Sequence, residues 1–134
     1  MKNIFKTQIQ VRFRDIDSMG HVNNAVFFTY FEEGRKVFFL KISRGSGFSL
    51  FPFILANIGC DFISPIKLNS LVSLEMWVKE IGNKSFVLAY RLADQTDESA
   101  TFATGESVQV CFDYEENKSI AVPIELKQKL SEYL

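Results

Sequence analysis

Two carboxylates and the only histidine of this 134-residue chain lie in one short segment ahead of a long apolar stretch. The segment, Phe13 to Asn24, contains Asp15, Asp17 and His21. If a helix begins where the segment ends, its unpaired N–H groups and the positive end of its dipole face the loop that carries the acids. Carboxylates beside a ready-made anion site are a catalytic arrangement in outline. The surrounding elements must position these groups.

The residues after this segment predict one long helix, from Asn24 to about Ile42, with Asn23 or Asn24 as its N-cap. Apolar residues cover most of its circumference, which is typical of a helix buried within a core. Its charged residues form a single patch: Glu32, Glu33, Arg35 and Lys36. We expect these charges to pair with one another or to lie at a subunit interface. Gly34 costs about 1 kcal/mol relative to alanine inside a helix, so close packing is expected there.

Alternating apolar and polar residues predict strands on both sides of this helix. They are Thr7–Phe13, Leu50–Ser64 (a long buried strand or a bent pair), Val72–Val78, Phe86–Leu92 and Phe102–Phe112. In the last of these, Val108, Val110 and Phe112 share one face. Gly82-Asn83 predicts a tight hairpin, and Pro123 suits the first turn of a closing helix.

The order of the predicted elements indicates the fold class. A Gly/Ser-rich loop, Ser43–Ser49, separates the long helix from four strands joined by hairpins, and a short helix closes the chain. An antiparallel sheet wrapped around one central helix accounts for a helix with almost no polar face. Residues 1–134 are therefore expected to form a single α+β domain.

Composition excludes several classes of function. The 15 basic and 16 acidic residues give a net charge of −1, which argues against nucleic acid as the main partner. No run approaches the ~18 apolar residues of a membrane span, and the N-terminus lacks a signal-peptide core. The distant Cys60 and Cys111 are expected to be buried free thiols in a reducing cytoplasm. One histidine and two isolated cysteines offer no metal-ligand cluster, so no metal site is expected.

The loop and helix resemble the hotdog-fold acyl-CoA thioesterases of the 4-hydroxybenzoyl-CoA thioesterase type. The family opens with Asp-x-Asp-x-x-Gly and an aromatic-rich helix ending Phe-Glu-x-x-Arg, which match residues 15–20 and 31–35. His-Val-Asn-Asn at residues 21–24 is similar to the related plant acyl-carrier-protein thioesterases, and residues 79–87 match the family's central hairpin. The resemblance spans nearly the whole chain and implies a hotdog fold, an antiparallel β-sheet around a long central α-helix.

The resemblance also assigns roles to residues of the loop. It implies that Asp17 is the catalytic carboxylate, which either attacks the thioester carbonyl or activates a water. The backbone N–H of Asn24 would hold the oxyanion, as suits a helix start. His21 matches a functional histidine of the plant relatives, but Met19 replaces the asparagine that acts with it there. Catalysis and loop packing both stay open for His21, and Asp15 is expected to be structural.

Substrate binding and assembly follow from the same resemblance. The family hairpin often carries several basic residues that contact coenzyme A phosphates, and Lys84 alone is basic at the tip of the hairpin here. Lys84 is thus a candidate phosphate contact. Members generally form dimers or tetramers with active sites between subunits, which implies a homodimer or homotetramer. Coenzyme A enters as part of the substrate, and no resident cofactor is expected.

The implied reaction is hydrolysis of a fatty or aromatic acyl thioester to free acid and coenzyme A. A hotdog dehydratase or hydratase is one alternative, although its Asp-His or Glu-His pair typically lies on or near the central helix and His21 precedes the helix. A non-catalytic acyl-thioester-binding protein is the other. The acyl group, and the choice between coenzyme A and acyl-carrier protein, stay open.

Overall fold

One antiparallel sheet packs around one long helix in residues 3–44 and 52–134, the part of the chain that this computed structural model describes. The elements are β1 (Phe5–Ile9), α1 (Asn24–Ile42), β2 (Phe53–Phe62), β3 (Val72–Ile81), β4 (Ser85–Asp94), β5 (Asp97–Asp113), β6 (Lys118–Ser119) and α2 (Ile124–Ser131). The strand order is β1-β3-β4-β5-β2, and β6 pairs with β5. The predicted α+β hotdog architecture is confirmed. Neither described helix is long and apolar enough to cross a membrane.

Helix α1 begins and ends where the sequence predicts. Asn23 is the N-cap, and its side-chain Oδ1 accepts the N–H of Ala25 at 2.9 Å. Four phenylalanines fill the side that faces the sheet: Phe27, Phe31, Phe38 and Phe39. Glu33 and Lys36 pair at 3.0 Å on the exposed side, which confirms the predicted pairing for these two charges.

Two glycines allow α1 to lie directly on the sheet. A Cβ added to Gly34 would lie 2.0 Å from Cδ2 of Leu74 and 2.9 Å from Sδ of Met76, both on β3. A Cβ added to Gly105 on β5 would lie 2.6 Å from the ring of Phe31. The predicted close packing at Gly34 is confirmed.

Strands β3 and β4 form the predicted hairpin, with the N–H of Gly82 donating to the carbonyl of Ser85 at 2.7 Å. The inward residues of both strands are buried: Val72, Leu74, Met76, Val78, Phe86, Leu88, Tyr90 and Leu92. Helix α2 buries Leu126 and Leu130. Pro123 is its N-cap, one residue earlier than the predicted place in the first turn.

The first strand differs from the prediction of Thr7–Phe13. β1 ends at Ile9, and Phe13–Asp15 form a turn of 3₁₀ helix in which Phe13 is 84% exposed. The turn forms because the carboxylate of Asp15 accepts the backbone N–H of Arg12 at 2.9 Å. Local hydrogen bonding by an acid therefore overrides the apolar alternation.

The second strand was predicted to be buried, and this is wrong. β2 covers Phe53–Phe62, and it is mostly exposed because it lies at the edge of the sheet, beside β5 alone. It does not form a hairpin with β3, since the chain crosses to the far side of the sheet. The predicted loop Ser43–Ser49 and strand start at Leu50 fall mostly outside the described residues.

Strand β5 is longer than predicted, and its inward face is the other one. Val108, Val110 and Phe112 do share a face, but the residues that alternate with them are the buried set: Ser107, Gln109 and Cys111. Because polar Ser107 and Gln109 lie inside the core, the alternation of apolar residues does not identify the inward face of β5. Both cysteines are free, as predicted, but Cys60 on β2 is only partly buried.

Candidate active site

The acid-bearing loop closes on itself as a tight turn. Asp17 donates its N–H to the carbonyl of His21 at 2.8 Å and accepts the N–H of Gly20 at 3.1 Å. Gly20 has a φ of +82°, a conformation that side chains other than glycine's rarely adopt. A bridge between Ile16 and Val22 joins the two ends of the turn. The turn therefore holds Asp17 and His21 side by side.

Asp15 anchors this loop to α1. Its Oδ2 accepts a hydrogen bond from Tyr30 Oη at 2.7 Å, and its carbonyl accepts the N–H of Asn23 at 2.9 Å. Burial, followed by the neighbouring Asp15 carboxylate, raises the pKa of Tyr30 well above its ordinary value. Asp15 has both carboxylate and carbonyl occupied within the protein, which fits the structural role predicted for it.

Asp17 uses only one of its carboxylate oxygens within the loop. Oδ1 accepts the N–H of Met19 at 2.8 Å and that of His21 at 3.3 Å. Oδ2 takes part in none of the hydrogen bonds found among residues 3–44 and 52–134. Two backbone donors thus fix the orientation of an exposed carboxylate and leave its second oxygen for another molecule.

The amide of Asn24 occupies the first helical position of α1. The cap residue Asn23 accepts the N–H groups of the two residues that follow Asn24. Its side chain accepts that of Ala25, and its carbonyl accepts that of Val26 at 2.9 Å. Within the described part of the chain, the N–H of Asn24 donates to no acceptor. An unpaired amide at the positive end of a 19-residue helix is a donor for an anion or a developing oxyanion.

One open cavity of about 250 Å³ brings these groups together. Its lining includes the polar residues Asp17, His21 and Asn24, the aromatic residues Phe27 and Phe62, and the segment 63–65. The structure therefore places three of the four sequence-predicted site residues around one space. That space joins a carboxylate and a helix N-terminus to an apolar wall.

Lys84 lies far from this cavity within one chain. The carbonyl of Lys84 accepts the N–H of Cys111, opposite the start of β2 at Phe53. The cavity lies at the other end of β2, where Phe62 pairs with Ala103. At about 3.3 Å per residue, the length of β2 separates the two by roughly 30 Å.

The aromatic wall of the cavity was missed at the level of sequence. Phe62 packs edge-on against Phe27, with ring centroids 5.0 Å apart, and against Phe28 at 6.3 Å. The segment after β2 reaches the loop because Val22 donates its N–H to the carbonyl of Ile66 at 2.8 Å. No local pattern signals this wall, because it depends on the pairing of distant segments.

A buried polar cluster between α1 and the sheet was missed as well. Arg35 donates to Tyr90 Oη at 3.1 Å, and that hydroxyl is hydrogen-bonded to Ser107, which in turn contacts Gln109. Burial raises the pKa of the Tyr90 hydroxyl. Phe31 stacks on the ring of Tyr90 with centroids 4.5 Å apart, so the cluster supports the aromatic core behind the cavity.

Several known proteins with similar sequences or structures are thioesterases or are predicted to be. The profile of the thioesterase-like superfamily matches residues 11–130. The long-chain acyl-CoA thioesterase FadM of Escherichia coli is 26% identical over 132 residues, which cover 95% of this chain and 97% of FadM.

Two solved structures superpose over nearly the whole chain. A predicted thioesterase from Bacillus stearothermophilus gives a TM-score of 0.87 at 23% identity, covering 98% of this chain and 97% of its own. A Thermus thermophilus thioesterase, solved in complex with coenzyme A and Zn, gives 0.79 at 26% identity, covering 93% and 90%. The first likeness, at this low identity, supports the fold alone.

Proposed function

Because the chain belongs to the thioesterase-like superfamily, we propose that it hydrolyses acyl-coenzyme A thioesters to a carboxylic acid and coenzyme A. One observation carries the proposal: a single cavity joins an oriented carboxylate, an unpaired helix N-terminal amide and an apolar wall. A thioester has a reactive carbonyl between an apolar acyl group and a polar carrier, and these three features are complementary to it. Coenzyme A is the carrier named for both FadM and the Thermus relative.

Asp17 is the catalytic carboxylate of this proposal. Its Oδ2 either attacks the thioester carbonyl carbon or takes a proton from the water that attacks it. In both routes water is consumed, the C–S bond breaks, and the sulfur leaves as the thiolate of coenzyme A. A thiolate is a good leaving group, so the site needs neither a strong general acid nor a resident cofactor.

The N–H of Asn24 is the proposed oxyanion donor. Negative charge develops on the carbonyl oxygen as the nucleophile adds, and a donor already aimed at that position needs no reorganisation. Loss of such a donor costs about 3 kcal/mol of barrier. The amide belongs to the backbone, so no side-chain substitution at position 24 removes it directly.

His21 is proposed to shape the cavity and not to act as the base. Its backbone, through both N–H and carbonyl, binds Asp17, whereas no hydrogen bond joins the two side chains within the described residues. We expect His21→Ala to retain thiol release within about tenfold of the native rate, since a lost general base costs 10²–10⁴-fold.

We propose that two copies pair through β2 and complete the site. β2 is a ten-residue edge strand with exposed apolar Ile54 and Leu55, and such an edge is a template for another strand. Antiparallel pairing about a two-fold axis sets the Phe62 end of one strand beside the Phe53 end of the other. Lys84 of the partner subunit then lies near the cavity, where it can contact a phosphate. Free thiols favour a cytoplasmic location.

The test of the function is a thiol-release assay with a panel of acyl-coenzyme A substrates. Asp17→Asn should lower kcat/KM by at least 10²-fold, because it removes the reacting charge while keeping the shape. The matched control is Asp97→Asn, which changes an exposed carboxylate at the start of β5, outside both the cavity and the proposed pairing strand.

Each other outcome contradicts a stated part of the proposal. No thiol release from any substrate would exclude the hydrolase and favour a binding protein. Hydration of an enoyl-coenzyme A without thiol release would indicate the hydratase. Equal activity of the native protein and Asp17→Asn would remove Asp17 from the mechanism.

A further inference from the structure

We propose that Phe62 limits the length of the acyl group, so that the enzyme prefers compact acyl thioesters, short aliphatic or single-ring aromatic. This inference rests on the proposed thioesterase function and deepens it. It also sets this chain apart from FadM, which is named for long-chain substrates.

Phe62 lines the same cavity as the polar groups. Asp17, His21 and Asn24 supply its polar lining, and Phe27 and Phe62 supply its aromatic lining. A carbonyl carbon held between Asp17 and the amide of Asn24 directs its acyl group towards the aromatic lining. Phe62 is therefore the wall that the acyl group meets.

The ring of Phe62 is held in place by its neighbours. It makes edge-on contacts with Phe27 and Phe28 at centroid distances of 5.0 and 6.3 Å, a preferred geometry for aromatic pairs. The backbone after it is fixed too, since Ile63 and Ser64 both donate their N–H groups to the carbonyl of Phe102. Phe62 is 43% exposed, and displacing its ring would break both aromatic contacts.

The space in front of Phe62 is small. A volume of about 250 Å³ holds roughly eight non-hydrogen atoms at ~30 Å³ each, the share of a water molecule in the liquid. The carbonyl carbon, its oxygen and the sulfur take three of these places. About five atoms of the acyl group remain beyond the carbonyl carbon, which corresponds to a hexanoyl chain; the six-atom ring of a benzoyl group is one atom larger.

Apolar residues continue behind the ring. Cys60 and Ile58 alternate with exposed residues along β2, and both are partly buried against the core. Phe28 on α1 adds to the apolar surroundings of the ring, since it contacts both Phe62 and Phe31. Loss of the Phe62 ring would thus open the cavity towards more apolar surface, and not towards charge or water alone.

The test compares chain-length profiles. We would measure kcat/KM for saturated acyl-coenzyme A substrates from four to sixteen carbons, and for benzoyl-coenzyme A, with native protein, Phe62→Ala and Phe62→Leu. The native optimum is expected near six carbons or at the single ring. A cavity of about 150 Å³ holds one benzene, so at ~30 Å³ per atom Phe62→Ala should move the aliphatic optimum by about five carbons. Phe62→Leu should move it less.

The control is Phe5→Leu, because Phe5 is a phenylalanine of β1, at the opposite edge of the sheet from β2. It should leave the profile unchanged. Calorimetric binding of non-hydrolysable thioether analogues of the same lengths measures the same limit without catalysis, and Phe62→Leu covers a folding failure of the alanine variant.

Two results would overturn the inference while keeping the hydrolase: a native optimum at fourteen to sixteen carbons, or a profile that neither Phe62 variant changes. No thiol release from any substrate would instead remove the proposed function. In that case an analogue-binding profile unchanged by the Phe62 variants would also remove the acyl-length limit.

Discussion

Tyr30 donates a hydrogen bond to Asp15 across 2.7 Å and so ties the second turn of α1 to the loop that carries Asp17. Both residues are buried, with 4% and 9% of their surface exposed. The same carboxylate oxygen of Asp15 accepts the N–H of Arg12. The proposed nucleophile or base and the proposed oxyanion donor thus belong to segments that one buried hydrogen bond joins.

Tyr30→Phe should weaken this connection without changing the shape of the core. We expect the free energy of unfolding to fall by about 1–3 kcal/mol, because a buried carboxylate loses a partner. We also expect kcat to fall several-fold with KM nearly unchanged, since the loop positions the reacting groups and not the carrier. Urea unfolding and steady-state kinetics measure the two effects.

The control for Tyr30→Phe is Ser131→Ala. Ser131 Oγ donates to the carbonyl of Lys127 at 2.7 Å, a bond of the same length on the exposed surface of α2. It should leave kcat unchanged. An equal loss of kcat in both variants would show that Tyr30 acts through general stability and not through the position of Asp17.

Gly34→Ala should destabilise the protein although alanine is the better helix former. The new Cβ would lie 2.0 Å from Leu74 Cδ2, so α1 and β3 must move apart or Leu74 must leave its rotamer. Overpacking costs about 1–3 kcal/mol, which exceeds the gain of about 1 kcal/mol in helix propensity. Denaturant unfolding should show a net loss for Gly34→Ala.

Gly59→Ala is the matched control, because a Cβ at Gly59 on β2 meets nothing within 4 Å. Its midpoint should equal or exceed that of the native protein, since alanine lowers the entropy of the unfolded chain. A Gly34→Ala protein as stable as native would mean that the contact with Leu74 relaxes freely.

Alkaline pH should destabilise the fold partly through Cys111. Burial raises the pKa of its thiol from 9.0 to about 11, so the native state keeps a proton that the unfolded chain releases. Stability from this group is therefore complete below pH 9 and is lost as pH rises towards 11. Cys111→Ala should reduce the slope of unfolding free energy against pH in that window. An unchanged slope would contradict the assignment to Cys111.

Much of this fold could be predicted from local features of the sequence. Asn23 predicts the start of α1, and Gly34 predicts the close packing of this helix on the sheet. The alternation in β3 and β4 predicts which faces of these strands point inward. Such features depend on residues near one another in the chain. The candidate site was readable for the same reason, since Asp17, His21 and Asn24 lie within one turn and one helix start.

Other features depend on contacts between segments that are distant in the sequence, and they could not be predicted from local patterns. β2 is apolar enough for a buried strand, but its place at the edge follows from the order of the sheet. Ser107 and Gln109 broke the apolar pattern of β5 because Ser107 is hydrogen-bonded to Tyr90 of another strand and Gln109 is bonded to Ser107. Arg35 of α1 in turn donates to Tyr90. Phe62 reaches the cavity only through the pairing of β2 with β5.

The exposed edge of β2 leads to the last prediction, on assembly. Ile54 and Leu55 are adjacent strand residues that point to opposite faces, and they are 39% and 44% exposed. Lysine at both positions should prevent strand pairing, because charged side chains are a natural protection of sheet edges. Light scattering after size exclusion should show the native dimer, or a tetramer built from it, and a monomer for Ile54→Lys/Leu55→Lys.

Thiol release should fall together with the dimer, since Lys84 of the partner subunit is proposed to complete the carrier site. Ile124→Lys on α2, where the native side chain is 68% exposed, is the control for an added lysine at an apolar surface position and should keep the native mass. A double variant that stays dimeric would place the interface elsewhere. A monomer with full activity would instead show that one chain holds the whole site, in which case Lys84 has no part in binding the carrier.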